Sequence, residues 1–487
     1  MSYGMKYKEL TFSDEEIAAL FGHEAAEDEK PDRLMEYYFK GTIYEQICAD
    51  LPLRIVVGHK GIGKSAVFQV MKKEFDDANI LTIMLTPDDI LELGEQETDM
   101  LKLIRIWKKE LATIIANKVL DKFGDNVNPI KNLTSNIANA IISHLESSGF
   151  KIRDGMNKVL EYFTKKQKVV VFIDDLDRGW EGKKSDINRI SAMLNAIRDI
   201  SRDNPTINFK ISLRTDAYYL YRTNDESTDK VEGSVVWMTW NNFEILALLA
   251  KRIVTYFGGN VSEQVLLKAQ QEEIANTVLK YVFEGRFSGR GGWKDIPTYR
   301  LLMSLIRKRP RDLIKLCSLA AKEARRNSSN KIGTKEFDKI FETYSQGRLR
   351  DTINEFKSEL KDIEKLLINM KPTKNEKTTK EAYQFCTDKL LSKVKNIMSM
   401  NNFYFSNGNR AEAKELCAFM YKINFLTARK RNDDGKIERK YFEENNFLAN
   451  SFSDFGFDWE IHPAYRWALQ PDNILSIMDT LVQYNDE

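Results

Sequence analysis

The eight residues Gly58-His59-Lys60-Gly61-Ile62-Gly63-Lys64-Ser65 constrain this chain more than any other stretch. They fit the pattern G-x-x-x-x-G-K-[ST], and their flanks decide what the pattern means. Before them runs Leu53-Arg54-Ile55-Val56-Val57, a β-branched run suited to a buried strand. After them, Ala66-Val67-Phe68-Gln69-Val70-Met71-Lys72-Lys73-Glu74-Phe75 repeats apolar residues at helical spacing. Strand, glycine loop and helix together make an anion cradle. The glycines let successive backbone N–H groups converge without a Cβ in the way, and a helix beginning near Lys64 turns its positive end on the same point. The expected phosphate contacts are Gly58, Lys60, Gly61, Ile62, Gly63, Lys64, Ser65 and Ala66. Lys64 adds a mobile cation for the β- and γ-phosphates, and the Ser65 hydroxyl is placed to ligate Mg²⁺. The expected ligand is a nucleoside triphosphate, taken here as ATP. A glycine-rich turn before an ordinary helix is the alternative, and both flanks argue against it.

A second stretch reads as the metal side of the same site. Lys168-Val169-Val170-Val171-Phe172-Ile173 is a continuous apolar run that ends in Asp174-Asp175-Leu176-Asp177-Arg178. A buried strand ending in carboxylates is what a Walker B element needs, because Mg²⁺ takes one or two carboxylates and keeps water. Asp174 is expected on the metal side, and Asp175 to orient or deprotonate the attacking water. The alternative is a helix-capping or turn cluster of aspartates after a core strand.

A chain of 487 residues is too long for one core. Lys+Arg 74 against Asp+Glu 72 nearly cancel, so any nucleic-acid or membrane site has to be local. Cys48, Cys317, Cys386 and Cys417 form no C-x-x-C pair, the pattern of reduced thiols rather than of a disulfide or zinc framework. The start lacks a signal peptide's apolar core and no later run is long enough to span a bilayer, so the expectation is a cytoplasmic protein without a membrane partner. None of the four histidines has a metal-ligand neighbour in sequence, and His462 before Pro463 reads as a packed or capping residue.

Strand-like runs at 53–57, 80–85, 168–173, 207–213 and 234–238 alternate with helical ones, which predicts a parallel three-layer α/β domain. Ligands gather at the strand C-termini of such a sheet, where Gly58, Asp174 and Arg214 fall. Between the second and third runs lies a helical insertion, 98–164. It begins with a helix near 98–123 that carries Leu101, Ile104, Trp107, Leu111, Ile114, Ile115 and Leu120, and holds a second near 156–164. Ser13 before Asp14-Glu15-Glu16 resembles a helix cap, and Tyr38 and Phe39 are either base-stacking or core aromatics. From Trp240 the strand signals stop and a helical region runs to about 361, with Pro310 in the first turn of a helix. After a polar linker, 371–377, come helices near 379–397 and 410–420. The 423–441 segment follows, whose Asp434-Gly435 predicts a hairpin, and 457–467, a short strand turning into a helix. Helices followed by a hairpin suggest a winged helix. The expected domains are an N-terminal segment near the nucleotide, 1–40; a core, 41–240; a helical lid, 241–370; and a winged-helix-like domain, 371–487.

Taken together, Gly58 to Ser65, Ile173-Asp174-Asp175-Leu176-Asp177-Arg178 and Arg309-Pro310-Arg311-Asp312-Leu313-Ile314 resemble bacterial P-loop ATPases of the KAP and STAND-like groups. Trp459-Glu460-Ile461-His462-Pro463-Ala464-Tyr465 is similar to a terminal module of stand-alone ATPases of this kind. The resemblance implies a sheet of order 5-1-4-3-2, a helical lid and a winged-helix-like tail. It also implies an ATP-dependent switch, a homo-oligomer controlling a separately encoded effector, often in antiviral defence. By position it implies Arg214 at a sensor site on the fourth strand and Arg309 or Arg311 reaching the phosphates from the lid. Many relatives in the wider class carry Glu where Asp175 stands, and the shorter side chain allows slow turnover. Arg178 stands between an intersubunit finger and a structural ion pair. The other reading is a DNA-binding initiator or loader, with Arg429, Lys430, Arg431, Lys436, Arg439 and Lys440 on the wing touching phosphates. Asp433, Asp434 and Glu438 interrupt that basic run, which favours a solvated hairpin.

Overall fold

A computed structural model of the chain describes residues 3–90, 93, 97–124, 168–176, 182–224, 229–374, 376, 382–431, 437–450, 452, 455–470 and 477–478. Asp177, Arg178, the expected helix near 156–164 and the expected turn 433–436 lie outside the described residues. Two compact units make up the chain. A sheet unit comprises Thr42–His59 and Lys64–Met238; a helical unit comprises Met1–Gly41, Lys60–Gly63 and Thr239–Glu487.

In the sheet unit, β1 (Leu53–Val57), β2 (Leu81–Leu85), β3 (Val169–Ile173), β4 (Ile207–Leu213) and β5 (Val235–Trp237) form one sheet. All four strand pairings are parallel, and from the β5 edge the order is 5-1-4-3-2, as the resemblance implied. Every residue of β3 and β4 is buried, which explains their runs of Val, Ile and Phe. Asn208, Lys210 and Ser212 punctuate β4 at every second position. Asn208 donates to Asp50 at 2.7 Å and Lys210 to the Ala49 carbonyl at 2.7 Å, so those two polar groups are buried with partners.

The insertion opens with the helix Met100–Gly124, which packs on the helix Lys184–Asp203 and against the edge strand β2. Among its described side chains those buried are Leu103, Trp107, Leu111 and Ile115, at a strict four-residue spacing. Apolar spacing alone predicts Leu101 on this face. Leu101 is instead 69% exposed, while Met100, Ile104 and Ile114 pack at the margin of the stripe that meets the core.

In the helical unit, the glycine-rich stretch 285–292, a loop by its sequence, lies within a small antiparallel pair, β6 (Arg286–Phe287) with β7 (Ile296–Pro297), which no strand signal announced. Helices Pro310–Arg326 and Thr334–Phe356 pack on each other. Pro310 occupies the first turn of its helix, as its position in the sequence suggested. Trp293, Phe341 and Trp467 form an aromatic cluster that ties the end of the chain to these helices, with Phe341 and Trp467 centroids 4.7 Å apart. The Ser13 hydroxyl accepts from the Glu16 N–H at 3.2 Å, so the expected cap is present.

The C-terminal part is winged-helix-like in its order of elements. Helices Thr387–Met400 and Ala413–Lys422 precede the antiparallel hairpin β9 (Leu426–Arg431) and β10 (Ile437–Lys440). Two details differ from the sequence reading. The first helix begins at Thr387, because β8 (Gln384–Phe385) takes the residues before it. The closing strand β11 (Asp458–Ile461) inserts between β9 and β8, giving the order β10-β9-β11-β8. Pairing Phe385 with Trp459 buries both aromatics on this small sheet, and helical periodicity gave no sign of that.

Candidate nucleotide site

The residues singled out in the sequence fall on both units, and each set has its own geometry. In the sheet unit, the Gly58 N–H donates to the Leu213 carbonyl at 3.1 Å, so the loop leaves β1 with its first residue still on the β4 ladder. The helix Lys64–Asp77 starts at the residue expected of it. The Lys64 amine donates to the Gly58 carbonyl at 2.7 Å and the His59 carbonyl at 3.3 Å, folding back over the loop it follows. Ser65 and Ala66 are half-buried in the first turn of that helix.

At the end of β3, Asp174 is fixed rather than free to swing. Its Oδ1 accepts from the Ser212 hydroxyl and, at 2.9 Å, from the Asp175 N–H. The Asp174 N–H donates to the Leu85 carbonyl at 3.3 Å. Asp175 is exposed and adopts φ +57°, a left-handed conformation that a side chain enters at a cost of about 1–2 kcal/mol. Aspartate tolerates this region better than most residues, and such outliers gather where function dictates the backbone. Ser212 is the residue that sequence reasoning missed. Its signal was a hydroxyl one step past Ile211, whose register partner is Ile173, immediately before Asp174.

Arg214 lies at the end of β4 and is engaged with a carboxylate. Its Nε and Nη2 donate to the two oxygens of Asp216 at 3.0 and 2.9 Å, a bidentate pair.

In the helical unit, four loop residues, Lys60–Gly63, are clasped by groups distant in sequence. Trp240 Nε1 donates to the Ile62 carbonyl at 2.8 Å, and the ring of buried Phe39 lies 6.3 Å from Trp240. Phe39 and Tyr38 are both core residues. Gly61 has φ +81°, and a Cβ there would stand 2.9 Å from Arg311 Cβ, so this position needs glycine on two counts. The Arg311 N–H donates to the Gly61 carbonyl at 3.3 Å, while its side-chain Nε donates to the Glu24 carbonyl at 3.0 Å. Arg309 is buried, and its Nη1 reaches the Lys60 carbonyl at 3.4 Å and Glu355 Oε2 at 3.3 Å. Glu355 also accepts from the Lys60 N–H at 3.1 Å. No sequence signal pointed to Glu355, which lies 295 residues from Lys60.

Behind Arg309 stands a buried ionic cluster. Asp312 accepts from Arg307 Nε at 2.7 Å, Arg307 Nη2 at 2.9 Å and Arg348 Nη1 at 2.5 Å. Arg307 Nη1 continues to Thr352 at 2.9 Å and to the Tyr465 hydroxyl at 2.8 Å. Burial alone would push the Asp312 carboxyl up, but Arg307 and Arg348 hold it well below the usual carboxylate range.

The hairpin is less solvated than its sequence suggested. Arg439 is buried on Glu460, with bonds of 2.9 and 3.1 Å, and Arg429 lies 3.5 Å from the same carboxylate. Arg466 completes this group. Because β9, β10 and β11 share one sheet, Glu460 draws the inward-facing arginines of the wing to itself. Lys430 and Arg431 are exposed, and Lys440 pairs with Glu438 at 2.9 Å. His462 is buried and caps the turn after β11: its Nδ1 accepts from the Ala464 N–H at 3.1 Å, and its Nε2 meets the Tyr441 hydroxyl at 2.9 Å. All four cysteines are free thiols. Among the described residues no helix is long and apolar enough to cross a membrane.

The profile of the FunZ-associated C-terminal helical domain matches residues 244–353. No relative is found among curated proteins. Among solved structures, the chain is similar to the Aeropyrum pernix ORC2 protein in its ADPNP–ADP complexes, with TM-score 0.40, 11% identity and 92% of each chain covered. It is also similar to the Aeropyrum pernix ORC1 protein in complex with DNA, with TM-score 0.35 and 11% identity over 94% of this chain and 97% of that one. The Thermotoga maritima RuvB Holliday junction branch migration motor matches with TM-score 0.33 and 11% identity over 85% and 97%. At these scores the likenesses carry no weight for what the chain does. The chain's own topology is enough for the fold: a five-stranded parallel sheet of order 5-1-4-3-2, a G-x-x-x-x-G-K-S loop after its first strand and a carboxylate ending its third make this a P-loop NTPase fold.

Proposed function

We propose that the chain binds and hydrolyses ATP with Mg²⁺ and works as a molecular switch, assembled as a homo-oligomer that regulates a separately encoded effector. The observation that carries the nucleotide reading is the Gly58–Ser65 loop running from β1 into the helix Lys64–Asp77, with its lysine amine already turned onto loop carbonyls. A phosphate chain offers that amine stronger, charge-assisted acceptors than two carbonyls do. The backbone N–H groups of the loop and the helix N-terminus add further donors.

The donor set fits Mg²⁺, which takes few protein ligands and keeps water. Ser65 and Asp174 would hold it, and when bound it neutralises charge on the phosphates. Asp174 is suited to this because the Ser212 hydroxyl and the Asp175 N–H fix one of its oxygens. Asp175 is exposed on a left-handed turn directly after it, a position from which a carboxylate orients or accepts a proton from water. Arg214 enters the reaction only by leaving Asp216, and Arg309 is better placed than Arg311 to meet a phosphate, since the Arg311 guanidinium is bonded to Glu24.

The switch, the oligomer and the effector rest on the resemblance to KAP and STAND-like ATPases, as does a role in bacterial antiviral defence. The match to a FunZ-associated domain over the lid supports a multidomain ATPase of this general kind. The test is phosphate release from Mg·ATP together with light scattering with and without ATP. Turnover and an ATP-dependent rise in mass support the reading. A monomer at micromolar concentration in both states removes the oligomeric part, and absence of phosphate release removes the enzymatic part.

A further inference from the structure

We infer that Glu355 is a counter-ion gate on the loop: its carboxylate occupies the Lys60 N–H and the Arg309 guanidinium, and a nucleotide phosphate has to displace it. The inference rests on the nucleotide reading above and adds a residue and a regulation that the loop motif does not contain. All three groups belong to the helical unit, so the geometry is internal to it.

Three observations converge. The Lys60 N–H, one of the loop donors expected to face phosphate, donates to Glu355 Oε1 at 3.1 Å. A carboxylate there is an anion standing where an anion is expected.

The second observation is Arg309. It is buried, its Nη1 is divided between two long contacts, 3.3 Å to Glu355 and 3.4 Å to the Lys60 carbonyl, and its Nε and Nη2 are buried without a hydrogen-bond partner among the described residues. Unsatisfied buried donors are costly, and a guanidinium is built to give a two-pronged bond that this carboxylate does not take. A phosphate, with more oxygens and more charge, satisfies donors that Glu355 leaves idle.

The third is the position of Glu355 itself. It is the penultimate residue of the helix Thr334–Phe356, where the negative end of the helix dipole opposes a carboxylate. Glu355 is therefore held by Lys60 and Arg309 against its own helix, and it gives way when a better anion takes both donors.

Two states follow. With Glu355 in, the loop is paired and closed to phosphate; with Glu355 out, Lys60 and Arg309 turn to the ligand. An equilibrium of this kind lowers apparent affinity by the fraction of molecules in the open state. Neutralising Glu355 removes the competing charge while keeping its shape.

The experiment is calorimetric titration of Mg·ATP into the full chain and its variants. Glu355→Gln is expected to bind at least about tenfold more tightly than wild type, because a gate closed in about nine molecules of ten imposes that penalty. Glu355→Asp, whose carboxylate is drawn back from Lys60, should tighten binding by less, and it carries the test should Glu355→Gln fail to fold. In Arg309→Gln/Glu355→Gln the gain should vanish, since it is realised through Arg309. Equal or weaker binding by the folded Glu355 variants overturns the gate and makes Glu355 a support for the loop. If wild type binds ATP and the variants bind no better, only the gate fails. If neither wild type nor variants bind, the nucleotide reading fails with it.

Discussion

Replacing Asp312 by Asn takes one charge from beneath two buried arginines, and the structure sets the scale of the loss. The carboxylate accepts three side-chain N–H groups at 2.5–2.9 Å and the Arg307 backbone N–H at 3.3 Å. Asparagine keeps one acceptor and turns an NH₂ donor toward a guanidinium. Arg307 and Arg348 are themselves buried; Arg348 keeps Asp351 at 2.8 Å, whereas Arg307 is left with the Thr352 and Tyr465 hydroxyls and is short of compensation. Breaking a buried ion pair from one side costs about 3–5 kcal/mol. At about 2–4 °C per kcal/mol, the unfolding midpoint of Asp312→Asn should fall by roughly 6–20 °C. Thermal unfolding by calorimetry is the assay, with Arg325→Ala as control. That change removes only an exposed pair with Asp14 and should leave the midpoint where it was. A midpoint for Asp312→Asn within about 2 °C of wild type would refute the reasoning, since the buried Arg307 guanidinium would then need no anion.

Three further outcomes are expected. Asp175→Asn should bind Mg·ATP near normally yet release phosphate at least about a hundredfold more slowly, whereas Asp174→Ala should weaken Mg·ATP binding itself; calorimetry beside phosphate release checks both, and normal turnover by Asp175→Asn would move the water-positioning role elsewhere. Acidification should destabilise the C-terminal part in two stages. Burial, with Arg307 and Arg439, pushes the His462 imidazole down to about 3, so between its ordinary value of about 6.5 and that pH only the unfolded chain takes its proton, and stability falls as pH falls through this window. Burial opposes the Glu460 carboxylate but Arg439 and Arg466 hold it at about 2, so its contribution is present above about 4.5 and is lost as pH drops toward 2. His462→Gln should lose the first stage and keep the second, as read by denaturant midpoints from pH 7 to 3. Finally, a gel shift with duplex DNA should show weak, salt-sensitive binding, because Arg429 and Arg439 face Glu460 and leave Lys430 and Arg431 as the exposed arginine and lysine of β9. Tight binding lost in Lys430→Ala/Arg431→Ala would favour the loader reading instead.

The sheet was legible because its strands are short apolar runs bounded by loop residues, and their alternation with helices leaves few topologies. The start of the Lys64 helix and the N1 position of Pro310 were legible for the same local reason. What escaped the sequence depends on contacts between distant segments. Leu101 looked apolar and turned outward because the register of a helix on its neighbour is set by packing, which periodicity fixes only to within a residue or two. β8 and the placing of β11 depend on cross-strand pairing, which single-segment patterns do not carry. At the candidate site the loop and Asp174 have motifs of their own. Ser212 and Glu355 have none, since a hydroxyl in a strand and a glutamate in a helix acquire meaning only from what lies beside them. The wing arginines show the reverse case: Arg429 and Arg439, two members of a basic run that suggested phosphates, are held by one buried glutamate.

The measurement that tests the central claim most directly is the affinity of the full chain for Mg·ATP, by calorimetry, in wild type and Lys64→Ala. The Lys64 amine bonds the Gly58 and His59 carbonyls, which on the proposed reading a phosphate displaces, so its loss should cost binding without disturbing β1 or the helix it begins. Wild type should bind one Mg·ATP per chain and gain roughly 2.7 kcal/mol of stability at about a hundred times its Kd. Lys64→Ala should lose most of that gain. Equal affinity and an equal gain in Lys64→Ala would mean that the nucleotide binds elsewhere, and no binding by either protein would mean that the loop is a turn and not a phosphate site.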